Sequence, residues 1–85
     1  MVLNNDRYFQ HFKGGIYKLL LIAKDSESLE TVVVYQAMYG QHEIWTRPAS
    51  SFFSNVKRDN GPERQRFREL TKEEFLCLQL KTENI

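Results

Sequence analysis

Apolar and polar positions alternate most regularly between Thr31 and Tyr39. Val33, Tyr35, Ala37 and Tyr39 fall on one face of an extended chain, and Val32, Val34, Gln36 and Met38 on the other. Consecutive valines are stiff at χ1 and favour a strand. Ile16 to Lys24 is apolar on both faces, with Ile16, Leu20 and Ile22 set against Tyr17, Leu19 and Leu21. That pattern predicts a buried strand. A run of leucines also suits a helix, but Gly14-Gly15 before it and Asp25-Ser26-Glu27-Ser28 after it favour the strand. Residues 25–30 then connect a β-hairpin. Gly40 ends the second strand, and Gln41-His42-Glu43 forms a turn. Ile44 to Arg47 is a third strand, stopped by Pro48, which has no N–H to give to a ladder.

Outside this hairpin the pattern is more broken. Tyr8 to Phe12 is aromatic-rich and leads into Lys13-Gly14-Gly15, where paired glycines predict a tight turn or a bulge. Ala49 to Asn55 reads as a short helical turn or loop that presses Phe52 and Phe53 onto the sheet. Asp59-Asn60-Gly61-Pro62 is composed of turn formers and predicts a loop. Arg64 to Leu70 is expected as a fourth strand with Phe67 inward. Thr71-Lys72-Glu73-Glu74 has capping-box spacing, which opens a helix over Lys72 to Leu80. Phe75, Leu76, Leu78 and Leu80 give that helix an apolar side. Residues 1–7 and 81–85 are expected to be loose. The expected organisation is one domain over residues 1–85, with a β core at 8–70 and a C-terminal helix at 71–80. Short strands at hairpin spacing argue against a parallel α/β fold. The fold class is mainly β: a small, strongly bent antiparallel sheet or an SH3-like barrel, with a short C-terminal helix. Closing the sheet would remove its edges.

Composition narrows the class. The chain has 85 residues, 41% hydrophobic and 13% aromatic, with 12 basic and 11 acidic side chains and a net charge of +1. These are the values of a folded domain, too small to split further. The single cysteine, Cys77, excludes an intramolecular disulfide. Met1 to Asp6 has no basic segment followed by an apolar run, and Leu19 to Ala23 is far short of the roughly 20 residues that span a bilayer. A cytoplasmic protein with no membrane association is expected.

Several blocks then stand out in order: Tyr8, His11-Phe12-Lys13-Gly14-Gly15 and Tyr17; Val34-Tyr35, Ala37 and Tyr39-Gly40; Trp45, Arg47-Pro48 and Phe52-Phe53; and Phe67. Together they resemble a small bacterial family, the domain of unknown function 1653, over roughly residues 8–70. The resemblance implies a short cytosolic, mostly β domain with no established activity, and it supplies no catalytic residue. It directs attention to His11, Lys13, Tyr35, Tyr39, Trp45 and Arg47.

The candidate chemistry is sparse. His11, His42 and Cys77 are not at metal-ligand spacing, so no metal and no cofactor is expected. Cys77 lies between Leu76 and Leu78, where a buried, inert thiol is expected rather than a nucleophile. Glu27, Glu30 and Glu43 fall in turns, and Ser50 and Ser51 have no nucleophile-elbow context, so no catalytic residue is assigned. Arg64, Arg66 and Arg68 at period two form a stripe, preceded by Lys57 and Arg58, that could meet successive phosphates of a single-stranded nucleic acid. The alternative role is a solvated edge that deters aggregation. Tyr39, Trp45 and Arg47, with His11 and Lys13 from the glycine turn, form a candidate groove for a peptide. A groove predicts a partly exposed Trp45 beside a free guanidinium, whereas a core role predicts buried rings with paired hydroxyls. The leading expectation is a non-enzymatic binding module for a protein or peptide partner. Single-stranded nucleic-acid binding is the alternative, and an enzyme of unknown type comes third.

Overall fold

The hairpin expected from Ile16 onward lies at the centre of the sheet in the structure, a computed structural model that describes residues 6–58 and 61–83. In chain order the elements are β1 (Arg7–His11), β2 (Ile16–Lys24), β3 (Thr31–Ala37), β4 (Ile44–Pro48), α1 (Ala49–Phe52), β5 (Asn55–Arg58), β6 (Gly61–Gln65), β7 (Phe67–Leu70) and α2 (Lys72–Glu83). The fold is mainly β. Five strands form an antiparallel sheet in the order β4-β3-β2-β1-β7, and β5 pairs with β6 in a separate ribbon.

Local chemistry sets the turns. Between β2 and β3 the Asp25 carboxylate accepts from the Glu27 and Ser28 N–H groups at 2.9 and 3.0 Å, and Leu29 takes a φ of 64°. Between β1 and β2 the His11 N–H donates to the Gly15 carbonyl at 2.8 Å, and Gly14 adopts a φ of 110° that a side chain would resist. β3 ends at Ala37 rather than Tyr39, because the chain turns through Gly40 at φ 58° and His42 at φ 55°.

Three expectations about the framework are corrected. The sheet is open: β4 and β7 lie at opposite ends and do not pair, so the barrel alternative is not realised. Helices cover its faces instead of closure hiding its edges. The strand expected over Arg64 to Leu70 breaks at Arg66. There the Arg66 N–H donates to the Ser54 carbonyl at 2.9 Å, and the Arg66 carbonyl accepts from the Phe12 N–H at 3.0 Å. Residues before the break run in the ribbon and residues after it join β1. The loop expected at 59–62 is also revised: Gly61 and Pro62 belong to β6, while Asp59 and Asn60 lie outside the described residues. At the ends, Arg7 is part of β1 and α2 runs on to Glu83. Arg7 is held by a two-pronged ion pair with Glu69, at 2.8 and 2.9 Å.

Each face of the sheet has its own core. On one face Phe9, Val33, Tyr35, Phe52 and Phe67 are buried together, with Tyr17, Leu19 and Ala49 packed around them. The Phe52 and Phe67 rings stack at 4.0 Å and 5°. Phe52 comes from α1, which the Pro48-Ala49 corner turns back over the sheet. Its neighbour Phe53 does not follow it: it is 53% exposed, because successive residues of a single helical turn cannot share one face. On the other face Tyr8, Leu70 and Phe75 are buried, with Ile16, Met38 and Leu78 beside them. Tyr8 and Phe75 stack at 3.7 Å, which seats α2 across β1 and β7. Leu76 is exposed, so the apolar side of α2 is narrower than its sequence suggests. The capping box is present as expected: Glu74 N–H donates to Thr71 Oγ1 at 3.1 Å, and Thr71 N–H donates to Glu74 Oε1 at 2.9 Å. Glu74 also holds Arg68 of β7 at 2.9 Å, so one carboxylate both starts the helix and ties it to the sheet.

The two phenylalanines of α1 should differ sharply. Phe52→Ala is expected to cost about 3–5 kcal/mol in urea denaturation, and Phe53→Ala less than about 1 kcal/mol. Equal losses would contradict this packing. Thr71→Ala should cost about 1 kcal/mol through loss of the N-cap, read from the same denaturation midpoint.

Candidate functional site

The His11–Gly15 turn, the β3–β4 connection and the ribbon meet at one end of the sheet, and the sequence-predicted residues are distributed around them. A pocket of about 520 Å³ lies between this turn and Tyr17, Met38 and Tyr39, with His11 and Lys13 in its wall. A smaller one of about 210 Å³ lies between Tyr39 and Trp45, with Ala37 and Glu43 beside them. Tyr39 lines both. Four of the five groove residues are therefore brought together, joined through Tyr39.

Strand register explains the placement. Tyr35 pairs with Trp45, and Val33 with Arg47, so these side chains share one face across β3 and β4. Tyr35 lies inside the sheet and is buried. Trp45 lies on the outermost strand and stays 50% exposed, while Tyr39, beyond the end of β3, stays 49% exposed. Tyr17 faces Ala37 from β2, and its hydroxyl meets that of Tyr39 at 2.5 Å. Gly15 makes this possible: a Cβ there would sit 2.9 Å from the Tyr39 ring.

Arg47 departs from the expected free guanidinium. Its Nε donates to the Tyr35 hydroxyl at 3.4 Å and its Nη1 to Ser51 Oγ at 3.1 Å, and the guanidinium lies 5.6 Å from the centre of the Phe67 ring. The residue is a half-buried brace between β4, α1 and the aromatic core. It acts on the site through its field.

Two groups of the turn pocket, His11 and Tyr17, are shifted towards their neutral forms. Burial, and then the positive charges of Arg47, Arg66 and Lys13, push His11 below the usual histidine value. Its Nδ1 accepts from the Lys13 N–H at 3.2 Å, which leaves the ring proton on Nε2. Burial, and then the hydrogen bond with Tyr39, push the Tyr17 hydroxyl above the usual phenol range. Tyr17 was not named as a site residue from the sequence, where it reads as bulk in an apolar strand. The available signals were its position beside the glycine turn and its place among the residues that carry the family resemblance.

The arginine stripe does not exist as a stripe. Arg66 sits at the break and its Nε donates to Ser54 Oγ at 3.2 Å. Arg64 lies on the ribbon and Arg68 on the main sheet, yet the break turns both towards one cleft. That cleft holds about 420 Å³ and lies on the other side of the His11–Gly14 segment, with Gln10, Phe12 and Gln65 also in its wall. Cys77 is corrected as well: it is exposed on α2, because Phe75 and Leu78 take the side facing the sheet. Among the described residues, no three His, Cys, Asp or Glu side chains converge to hold a metal, and no helix is long and apolar enough to cross a membrane.

Tyr39→Phe removes the hydrogen bond and the neighbouring phenol charge that, after burial, hold the Tyr17 proton. Alkaline spectrophotometric titration should then show Tyr17 ionising at lower pH, though still above a free phenol because burial remains. Since the folded state favours the protonated phenol, its contribution to stability is complete below pH ~10 and is lost as pH rises above that value. The variant should show a shallower loss. An unchanged Tyr17 titration would sever the pair.

Two comparisons with known proteins point to the same family. The chain is similar to a crystal structure of a DUF1653 protein from Bordetella bronchiseptica, with 29% identity and a TM-score of 0.66, over 74% of this chain and 82% of that one. No curated protein matches. The family model described as protein of unknown function (DUF1653) matches residues 7–69, which include the glycine turn, Tyr39, Trp45, Arg47 and Phe67. On that match, the chain belongs to the DUF1653 family.

Proposed function

We propose that this domain is a non-enzymatic module that binds a protein partner through an extended peptide segment, seated on Tyr39 and Trp45. The observation that carries the proposal is the pair of half-exposed rings flanking two adjoining pockets on a rigid sheet. Aromatic side chains lose few rotamers on binding and offer large apolar faces, so they dominate recognition surfaces. Their scaffold supports the reading. Tyr39 is fixed by the Tyr17 hydroxyl and by contact with Gly15. Trp45 is fixed by its register opposite the buried Tyr35.

The chemistry of the pockets describes the segment. An aromatic or aliphatic side chain would lie between Tyr39 and Trp45. A carboxylate on the same segment would face Lys13, which is exposed at the rim of the larger pocket. The neutral His11 and Tyr17 suit hydrogen bonding to a peptide backbone, since neither form demands a counter-charge. Because most of the contact is aromatic, affinity should survive physiological salt, with only the Lys13 contribution screened.

The test is selection of peptides from a displayed random library. Trp45 is the only tryptophan, so its emission reports binding directly. Selected peptides should pair an apolar anchor with an acidic residue, and should shift Trp45 emission to the blue. Tyr39→Ala should weaken them at least about tenfold, and Lys13→Glu by several-fold in a salt-dependent way. Peptides that bind Tyr39→Ala and wild type equally would overturn the proposal.

A further inference from the structure

The polar cleft on the far side of the His11–Gly14 segment has a different character from the aromatic pockets. Among the described residues its charged lining side chains are the guanidiniums of Arg64 and Arg68, the second of which is paired with Glu74 behind it. The amides of Gln10 and Gln65 and the half-buried ring of Phe12 complete the wall. Its volume of about 420 Å³ falls within the roughly 300–1,000 Å³ typical of small-molecule sites.

We propose that this cleft is a nucleotide site, in which Arg64 and Arg68 hold a phosphate while the base lies against Phe12 and meets the amides of Gln10 and Gln65. The proposal goes beyond the peptide reading and does not depend on it. Four observations carry it. First, guanidiniums are planar forks that match phosphate oxygens, and two of them converge here from different strands. Second, the Arg64 side chain has no ion-pair or hydrogen-bond partner among the described residues. Third, further cations stand near the cleft: Lys13 lies 5.8 Å from the Phe12 ring centre, and the fields of Arg47, Arg66 and Lys13 all reach His11 in the cleft wall. Fourth, amide side chains can donate and accept, which suits the mixed edge of a base better than a bare anion.

Arg68 is already engaged. Its Nη1 donates to Glu74 Oε2 at 2.9 Å and its Nη2 to Gln10 Oε1 at 3.5 Å. A phosphate would share this guanidinium with Glu74, whose exposed carboxylate keeps its two backbone and hydroxyl contacts at the start of α2. Gln10 is likewise pre-positioned: its Nε2 donates to the Gly14 carbonyl at 3.2 Å, which holds its amide on the cleft wall. The nucleotide could be free or a unit of a single strand. The recognising chemistry is the same, and the experiment separates the two sources.

The full chain would be titrated by calorimetry with adenosine monophosphate, uridine monophosphate, inorganic phosphate and a short oligouridine, with amide NMR shifts locating each probe. A mononucleotide is expected to bind at least about tenfold more tightly than inorganic phosphate, and to move Phe12, Gln65 and Arg68 rather than Tyr39 and Trp45. Arg64→Gln should weaken it about tenfold. Arg64 is exposed on the ribbon, so this variant should melt as wild type does. Gln65→Ala should weaken the mononucleotide but leave phosphate unchanged. An oligouridine that binds more tightly than uridine monophosphate assigns the site to a strand, and equal affinity assigns it to the free nucleotide; either supports the proposal. It is overturned if no probe binds at physiological salt, if phosphate and mononucleotide bind equally, or if Arg64→Gln binds as wild type.

Discussion

The stack of Phe52 on Phe67 is the contact on which the rest of the structure depends. Phe52 arrives from the short helix after β4, and Phe67 from a strand that pairs with β1, so the two rings join segments with no direct ladder between them. Around Phe67 the rings of Tyr35, Tyr17 and His11 pack edge-on at 5.4, 5.6 and 4.8 Å. Arg47 lies over the same ring. A single side chain thus supports the buried core and two residues of the turn pocket, His11 and Tyr17. Functional geometry and stability are therefore not separable here, since a core that repacks around Phe67 also moves His11, Tyr17 and Arg47.

Two kinds of wall meet along the His11–Gly14 segment. On one side the walls are largely aromatic, with His11 and Tyr17 shifted towards their neutral forms and Lys13 at the rim. On the other the walls are amide and guanidinium. The division follows from backbone pairing rather than from any charge run in the sequence. Period two sends His11 to the aromatic face beside Phe67, and sends Gln10 to the opposite face beside Arg68.

Much of the sheet was legible because its signals are local. The strand at Ile16–Lys24 is bounded by glycines and by an Asp-led turn, and both bounds depend on nearest neighbours. The helix start at Thr71 rests on a side chain reaching its own helix, and is equally local. The break at Arg66 was not legible, since its cause is a pair of backbone bonds to Ser54 and Phe12, far away in the chain. The openness of the sheet was hidden for the same reason: whether end strands meet is a property of twist and connection, not of alternation. The exposure of Tyr39 and Trp45 follows from their places at a strand end and on an edge strand, where aromatic residues are hard to bury. The engagement of Arg47 was not legible, since its partners Tyr35 and Ser51 come from two other elements. Cys77 and Phe53 were misjudged because an apolar cluster in sequence does not say which member faces inward.

The sheet order has a consequence for how the chain comes into being. The first strand completes its pairing only with the last one, as Tyr8 opposes Leu70. Synthesis is vectorial, so a growing chain carries Phe9, Tyr35 and Phe52 out of the ribosome well before Phe67 can cover them. Through that interval the outer edge of β1 is an unpaired template, and the aromatic face is open to other chains. Until Phe67 and β7 arrive, the emerged strands form a half-sheet whose free edge and bare rings invite contact with other chains.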